Sequence, residues 1–169
     1  MVMEAQEFKA FKEKAFKFLW DEIAPLEEEI ERTEQFPRER FWQKFADLGM
    51  LGLNIPKEYG GSGLSETQCL DFEKEWSKVN GGLRVILHVH AGGNENFLAA
   101  TEAQKRQYWP KLASGEMSCA FGLTEPDGGS GRDTKTMARR KGSNFILNGR
   151  KHLITNANFA DMFNVICYT

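Results

Sequence analysis

The N-terminal part of the chain carries the spacing of apolar positions that is typical of amphipathic helices. Between residues 4 and 32, apolar side chains recur at three- and four-residue steps, and charged side chains fill the positions between them. This spacing predicts a helix. Pro25 should kink or split it, because proline lacks the amide donor that a helix interior needs. A second helix is predicted from Pro37 through Leu48, ending at Gly49.

Two capping boxes predict further helix starts. Ser65 and Thr101 are each followed three residues later by glutamine, so each pair can exchange side-chain and backbone hydrogen bonds. The helix after Ser65 should bury a face that contains Cys69, Phe72, Trp76 and Val79, and the helix after Thr101 should reach about Leu112. Residues 83–91 lie between them and are nearly all apolar, which predicts a buried helix.

Beyond Ser114 the pattern changes to short alternating segments. Strands are predicted at 118–123, 134–140, 145–147 and 162–168, and Asn148-Gly149 is a type I′ hairpin signal leading into a strand that ends at Thr155. The sequence therefore predicts an α+β fold, in which an N-terminal all-α helical domain (1–115) precedes an incomplete antiparallel β-domain (116–169). A sheet of about five strands leaves unpaired edges. We therefore expect further chain to follow.

Composition narrows the function classes. The formal net charge is −2, with both signs interspersed, which argues against nucleic acid or an anionic membrane as the main partner. No apolar run approaches the roughly 20 residues of a membrane span, and the N-terminus does not have the pattern of a signal peptide. The three cysteines are far apart, which fits a reducing compartment and no zinc site. His88 and His90 should lie on different helical faces, so we expect no metal site.

The richest chemistry lies in the run Leu123-Thr124-Glu125-Pro126-Asp127-Gly128-Gly129-Ser130. Its glycines allow the backbone to approach a bulky ligand and to turn N–H groups toward an anion. Hydroxyl groups of Thr124 and Ser130 add donors for a phosphate or a planar ring edge. Downstream, the segments Leu147–Lys151 and Ile154–Ala157 supply a second polar edge that could converge on the same planar ligand.

The order of these blocks, TEP-x-GGS and then LNG-x-K-x-x-ITNA, resembles the acyl-CoA dehydrogenase family of flavoproteins. Segments 55–63, 101–105 and 112–116 are similar to the N-terminal helical half of the same family. The resemblance covers nearly the whole chain and stops in mid-domain at Thr169. It implies that the chain is the N-terminal part of a longer FAD-dependent enzyme.

The resemblance also implies FAD contacts at named positions. The family's matching strand lies along the isoalloxazine ring, which assigns Phe121, Leu123 and Thr124 to the flavin. Gly129 and Ser130 match the turn that holds the FAD pyrophosphate and lies near the CoA phosphates, so Ser130 also counts as a substrate contact.

Two further flavin contacts follow from the resemblance. Thr155 matches the threonine that bonds the flavin near N5. Leu153 stands where most members carry an aromatic residue, often tryptophan, that packs on the flavin. One departure concerns the residue after Ser130, where the family usually has aspartate and this chain has Gly131.

The helix with residues 83–91 lines the acyl pocket in the family. Arg84 falls where glutaryl-CoA dehydrogenases carry an arginine that meets the distal carboxylate of the substrate, and His88 could form a pocket wall. A salt bridge from Arg84 to Glu73 or Glu75 is the alternative, because a buried guanidinium needs an anion. Glu125 is interpreted as structural. The family's catalytic base is a glutamate in a C-terminal helical domain, so we expect no catalytic residue in this chain.

The implied reaction is α,β-dehydrogenation of an acyl-CoA thioester, with hydride transfer to flavin N5 and electron-transfer flavoprotein as acceptor. The family is usually homotetrameric, and the 169-residue chain alone is predicted to be inactive.

Alternatives are a related flavin acyl-CoA oxidase or monooxygenase, a non-catalytic binding module, and a coenzyme A binding module without redox function. The cytoplasm is the expected compartment, with the mitochondrial matrix as the alternative. Acyl chain length and branching are not determined by the sequence.

Overall fold

The computed structural model describes residues 2–92, 100–128 and 133–169, and within them helices precede strands. The helices are α1 (Ala5–Phe18), α2 (Glu27–Thr33), α3 (Arg38–Asp47), α4 (Glu66–Trp76), α5 (Gly81–Gly92) and α6 (Glu102–Ala113). The strands are β1 (Cys119–Gly122), β2 (Met137–Lys141), β3 (Asn144–Asn148) and β4 (Met162–Val165). This arrangement confirms the predicted α+β fold class.

The interruption predicted at Pro25 is present. A π-helical turn at Leu19–Ile23 and a 3-10 turn at Ala24–Leu26 separate α1 from α2. Proline cannot donate the backbone hydrogen bond that would continue an α-helix, so the chain changes its bonding pattern around it. Leu19 and Ile23 are fully buried, which shows that the apolar stripe of α1 continues through the turn.

Aromatic side chains form the centre of the helical core. Phe45 of α3 and Phe72 and Trp76 of α4 are no more than 1% exposed. The Phe72 and Trp76 rings meet edge to face with centroids 5.7 Å apart, a favoured arrangement of aromatic pairs. Leu87 of α5 joins the same cluster. Burial of these large side chains fixes α5, and α5 in turn lies against β1.

Both capping boxes are confirmed. The Ser65 hydroxyl accepts a hydrogen bond from the Gln68 amide, and the Gln68 side chain accepts one from the Ser65 amide. Thr101 and Gln104 make the same exchange. These bonds satisfy amide donors that would otherwise lack partners at a helix start. The helices therefore begin where the sequence predicts.

Strand pairing in the β part differs from the predicted antiparallel sheet. Strands β2 and β3 are antiparallel, but β1 and β4 are parallel, with Ala120 opposite Phe163. The carboxylate of Asp161 accepts hydrogen bonds from the amide and hydroxyl of Ser118, at 2.8 and 2.7 Å. These bonds hold the N-terminal ends of β1 and β4 side by side, so both strands run in the same direction.

The hairpin turn also lies elsewhere than predicted. Strands β2 and β3 are joined at Gly142-Ser143, where Gly142 has a φ of 64°. Gly149 serves a different purpose, because a Cβ atom there would lie 2.2 Å from the Thr136 hydroxyl oxygen. The predicted strand ending at Thr155 is absent, and residues 150–155 form irregular structure. The Asn148-Gly149 hairpin prediction was therefore wrong.

Among the helices of residues 2–92, 100–128 and 133–169, none is long and apolar enough to cross a membrane. Cys119 and Cys167 are free thiols. Burial raises the pKa of Cys119 to about 11, so this thiol stays protonated at neutral pH.

Candidate functional site

The end of β1 and the segment 151–155 lie side by side. The His152 amide donates a hydrogen bond of 2.9 Å to the carbonyl oxygen of Thr124. The Lys151 ammonium donates one of 2.9 Å to the carbonyl oxygen of Leu123. The two polar edges quoted from the sequence therefore converge, although a hairpin does not connect them.

The segment 153–156 contains two residues with left-handed backbone conformations. Leu153 has a φ of 53° and Asn156 a φ of 70°. Such values cost free energy for a residue like leucine and are tolerated better by asparagine. The Leu153 side chain is 81% exposed, unusually open for a large apolar group. Backbone strain of this kind tends to concentrate where a ligand is held.

Asn156 anchors this segment to the rest of the molecule. Its side-chain amide donates to the carbonyl oxygen of Ile86 in α5 at 2.9 Å and to that of Cys119 in β1 at 3.1 Å. Asn156 is 4% exposed, and Thr155 beside it is half-buried. Sequence reasoning assigned no role to Asn156. The signal was the tolerance of asparagine for a left-handed backbone within the ITNA block.

A cleft of about 880 Å³ opens beside this anchor. Its walls are residues 34–40, which include the first turn of α3, together with Ile86 of α5 and the segment that includes Thr155 and Phe159. The side-chain oxygen of Asn156 and the Nε atom of Arg38 are buried there, and neither has a hydrogen-bond partner in the described part of the chain. Buried polar atoms without partners are rare in folded proteins, and an ordered water is one partner that can complete them.

His90 holds the start of β1 in place. One ring nitrogen, Nε2, lies 3.0 Å from the Leu112 carbonyl oxygen, and Nδ1 accepts a hydrogen bond of 3.2 Å from the Cys119 amide. The neutral tautomer with the proton on Nε2 satisfies both contacts. Burial lowers the pKa of His90 to about 4, so the ring is neutral at neutral pH. His88 is exposed on another face of α5, as the spacing predicts.

Glu125 precedes the glycine-rich run by three residues, and its carboxylate is fully engaged. It accepts from the amides of Lys135 and Thr136, from the Thr136 hydroxyl, and from the Lys151 ammonium. The Thr136 hydroxyl, followed by the Lys135 amide and the Lys151 ammonium, lowers the pKa of Glu125 to about 2. A carboxylate of such low basicity is a poor proton acceptor, which supports its structural interpretation.

Arg84 and His88 both contact one acid. The Arg84 guanidinium lies 3.1 Å and the His88 Nδ1 atom 2.8 Å from the carboxylate of Glu73. Burial alone would raise the pKa of Glu73, but the hydrogen bonds and charges of His88 and Arg84 together hold it below its ordinary value. The arrangement realises the ion pair that the sequence offered as the alternative for Arg84. The wall that α5 contributes to the cleft is formed by Ile86.

Three of the remaining predicted flavin contacts lie in β1 or just beyond its end. Phe121 is half-buried in β1 and lies opposite Asn164 of β4, while Leu123 and Thr124 are half-buried just beyond the strand. Gly129 and Ser130 lie outside the described residues. The structure thus brings Leu123 and Thr124 close to the segment that contains Leu153 and Thr155.

Two family models cover most of the chain. The acyl-CoA dehydrogenase N-terminal domain matches residues 5–116, and the acyl-CoA dehydrogenase middle domain matches residues 120–169. The mitochondrial isovaleryl-CoA dehydrogenase of Pongo abelii is 37% identical over 169 residues, covering 98% of this chain and 40% of the relative. The chain therefore spans about two fifths of the length of that relative.

Solved structures show the same likeness. A chain from work on the electron transferring flavoprotein of Acidaminococcus fermentans superposes with a TM-score of 0.86 and 32% identity, covering 96% of this chain and 43% of that one. A glutaryl-CoA dehydrogenase from Mycobacterium smegmatis in complex with FADH2 gives a TM-score of 0.85 and 30% identity, covering 96% and 42%. From the two domain matches and these relatives, we conclude that the chain belongs to the acyl-CoA dehydrogenase family.

Proposed function

We propose that the chain forms the FAD-contacting, N-terminal part of an acyl-CoA dehydrogenase that oxidises an acyl-CoA thioester between Cα and Cβ. The observation that carries this proposal is the 2.9 Å hydrogen bond from the His152 amide to the Thr124 carbonyl oxygen, which sets the two predicted flavin-contacting segments side by side. The chain covers 40% of the Pongo abelii relative, so the activity of a whole protein is part of the proposal.

The residues present fit a flavin. Thr155 lines the cleft with a hydroxyl donor. The exposed side chain of Leu153 can cover an apolar ring face. When bound, FAD supplies the hydride acceptor. A donor from Thr155 at the polar edge of the ring stabilises negative charge that develops on reduction.

From sequence alone, Gly129 and Ser130 are proposed to hold the FAD pyrophosphate, and Ser130 also to contact CoA. Phe121, Leu123 and Thr124 are proposed to lie along the flavin. Half-buried positions at the end of a strand suit such contacts, because one side of the backbone stays available to a ligand.

The catalytic base is proposed to lie outside the 169 residues of this chain. Glu125 is occupied by four hydrogen-bond donors and has a pKa of about 2. We therefore expect the 169-residue chain alone to leave acyl-CoA thioesters unchanged when a dye acceptor is supplied. Turnover above that of an FAD-only control would contradict this expectation.

Arg84 and His88 are proposed to contact the substrate, but Arg84 is not proposed to bind a carboxylate of the acyl group. The ion pair with Glu73 already supplies the anion that Arg84 needs, which favours an uncharged acyl group over a dicarboxylic one. We expect Arg84→Met to change the binding of glutaryl-CoA and of isovaleryl-CoA by the same factor. A selective loss of glutaryl-CoA binding would show that Arg84 recognises a distal carboxylate.

An FAD titration followed by quenching of flavin fluorescence tests the flavin contact. We expect saturable binding that weakens about fivefold or more in Thr155→Ala, because one hydrogen bond is lost. Thr155→Ser should restore it, since serine keeps the hydroxyl. Thr67→Ala, at an exposed position of α4, is the matched control. Equal affinity of Thr155→Ala and Thr67→Ala would refute the contact.

The acceptor of the electrons is proposed to be an electron-transfer flavoprotein, which the likeness to the Acidaminococcus fermentans chain supports. We further propose a homotetramer in the cytoplasm, with the mitochondrial matrix as the alternative. Rapid oxygen consumption by the reduced flavoprotein would instead indicate an oxidase or a monooxygenase. Protection from proteolysis by CoA without protection by FAD would indicate a coenzyme A binding module.

A further inference from the structure

Lys151 and Glu125 form an ion pair that is almost excluded from solvent. The ammonium lies 2.9 Å from the carboxylate, and the side chains are 12% and 6% exposed. The same ammonium donates to the carbonyl oxygen of Leu123 at 2.9 Å. One cation therefore joins the end of β1 to the chain immediately before His152.

The carboxylate extends this junction to a third segment. Its two oxygens accept from the Lys135 amide at 2.7 Å and from the Thr136 amide at 2.9 Å. Thr136 in turn packs against Gly149, where any Cβ atom would collide with it. The TEP block and the LNG-x-K block of the sequence thus meet at one buried carboxylate.

Stability alone does not account for such a pair. Removing two charges from water costs free energy that their attraction often only balances, and replacing a buried ion pair by apolar residues of similar size is often neutral or stabilising. An apolar pair, however, could not bond the Leu123 carbonyl and the two amides in fixed directions. The pair therefore determines how far segment 151–155 lies from Leu123 and Thr124.

We propose that Lys151 and Glu125 are positioning residues that hold the Thr124 and Thr155 edges in register for a flavin ring. The inference rests on the proposed function, in which these two edges contact FAD. Without the Lys151 ammonium, the buried carboxylate loses its counter-charge and the Leu123 carbonyl its donor. The hydrogen bond between the His152 amide and the Thr124 carbonyl oxygen then opens more often. As a result, the distance between Thr155 and Thr124 is no longer fixed.

Amide hydrogen exchange in the purified chain tests the positioning without any ligand. In Lys151→Met we expect the His152 amide to exchange about tenfold faster or more, relative to the Ile166 amide. The Ile166 amide donates to the Gly122 carbonyl oxygen between β1 and β4, so it reports opening of this strand pair. Lys135→Met is the matched control, because it removes an exposed pair with Asp127. Unchanged relative exchange in Lys151→Met would overturn the proposal.

Flavin affinity tests the functional consequence. We expect the Kd for FAD to rise about tenfold in Lys151→Met and by less than about twofold in Lys135→Met, with partial recovery in Lys151→Arg. Wild-type affinity in Lys151→Met would overturn the proposal. If the wild-type chain does not bind FAD, the flavin proposal fails for this chain, and the exchange experiment still decides whether Lys151 positions the two edges.

A measurement on the unmodified protein covers the case in which Lys151→Met does not fold. With 15N-labelled lysine, a buried ammonium bonded to two oxygens should give a slowly exchanging signal that couples to the Leu123 carbonyl carbon. A Lys151 ammonium that exchanges as fast as the exposed Lys135 ammonium would refute the buried pair and the proposal with it.

Discussion

The side-chain amide of Asn156 donates a hydrogen bond of 2.9 Å to the carbonyl oxygen of Ile86, 70 residues earlier in the chain. The same amide also reaches the Cys119 carbonyl oxygen at 3.1 Å. A single side chain therefore ties the segment with Thr155 to α5 and to β1. The helical part positions the candidate site through this contact.

Replacing Asn156 by alanine is expected to lower the free energy of unfolding by about 2–3 kcal/mol. Two carbonyl oxygens lose their donor, and alanine is strained at a φ of 70°. Asn156→Gly loses the same hydrogen bonds without the strain, so it should be about 1 kcal/mol more stable than Asn156→Ala. Urea unfolding followed by circular dichroism measures both. Equal stability of Asn156→Ala and Asn156→Gly would show that alanine is not strained in the left-handed backbone of residue 156.

Acid is expected to destabilise the fold through His90. Burial lowers its folded-state pKa to about 4, while an unfolded histidine titrates near 6.5. Between these values the unfolded chain binds more protons, so stability is fully present above about pH 6.5 and falls as the pH drops toward 4. The loss should reach about 3 kcal/mol.

His90→Gln tests this dependence, because glutamine cannot take up the proton. The difference in unfolding free energy between wild type and His90→Gln should shrink as the pH is lowered from 6.5 to 4.5. This window lies above the lowered pKa values of Glu125 and Asp161. A difference that stays constant with pH would show that His90 does not titrate between the two states.

Gly149→Ala is expected to destabilise the fold by about 2–3 kcal/mol through overpacking. The added Cβ atom would lie 2.2 Å from the Thr136 hydroxyl oxygen and 2.6 Å from its Cα atom. Gly142→Ala provides the contrast, since its Cβ atom would meet no neighbour within 4 Å but the backbone has a φ of 64°. That variant should lose only the ~1 kcal/mol of left-handed strain. If thermal unfolding shows that Gly149→Ala and Gly142→Ala lose comparable stability, the close contact between Gly149 and Thr136 is contradicted.

Leu153→Trp is expected to bind FAD more tightly, by about threefold to tenfold, because an indole ring adds stacking to simple coverage. The Leu153 side chain is 81% exposed, so the larger ring meets no steric barrier from the described residues. Leu153→Ala should weaken binding and serves as the opposite control. Flavin fluorescence titration measures both. Affinities that do not depend on residue 153 would remove Leu153 from the flavin contacts.

Local rules predicted the helical part well. The two capping boxes, the break at Pro25 and the apolar face that includes Phe72 and Trp76 are all present. Each depends on residues three or four positions apart, so the sequence carries the information directly. The ion pair of Arg84 with Glu73 was also among the predicted alternatives, because a partly buried guanidinium calls for a nearby acid.

The β part shows where local signals fail. Asn148-Gly149 matches a hairpin turn, yet Gly149 is needed for its close approach to Thr136 and the turn lies at Gly142. The parallel pairing of β1 with β4 depends on Asp161 and Ser118, 43 residues apart. No local periodicity reports a contact over such a separation.

The sequence by itself determined the helices, their starts and the blocks that carry the family likeness, because these depend on neighbouring residues and on short ordered motifs. Only the tertiary structure decided that Asn156 anchors Thr155, that His90 supports β1, and that Glu125 and Lys151 join three segments. Those roles arise from hydrogen bonds between residues far apart in the chain. Their partners become defined only when burial removes water as an alternative partner.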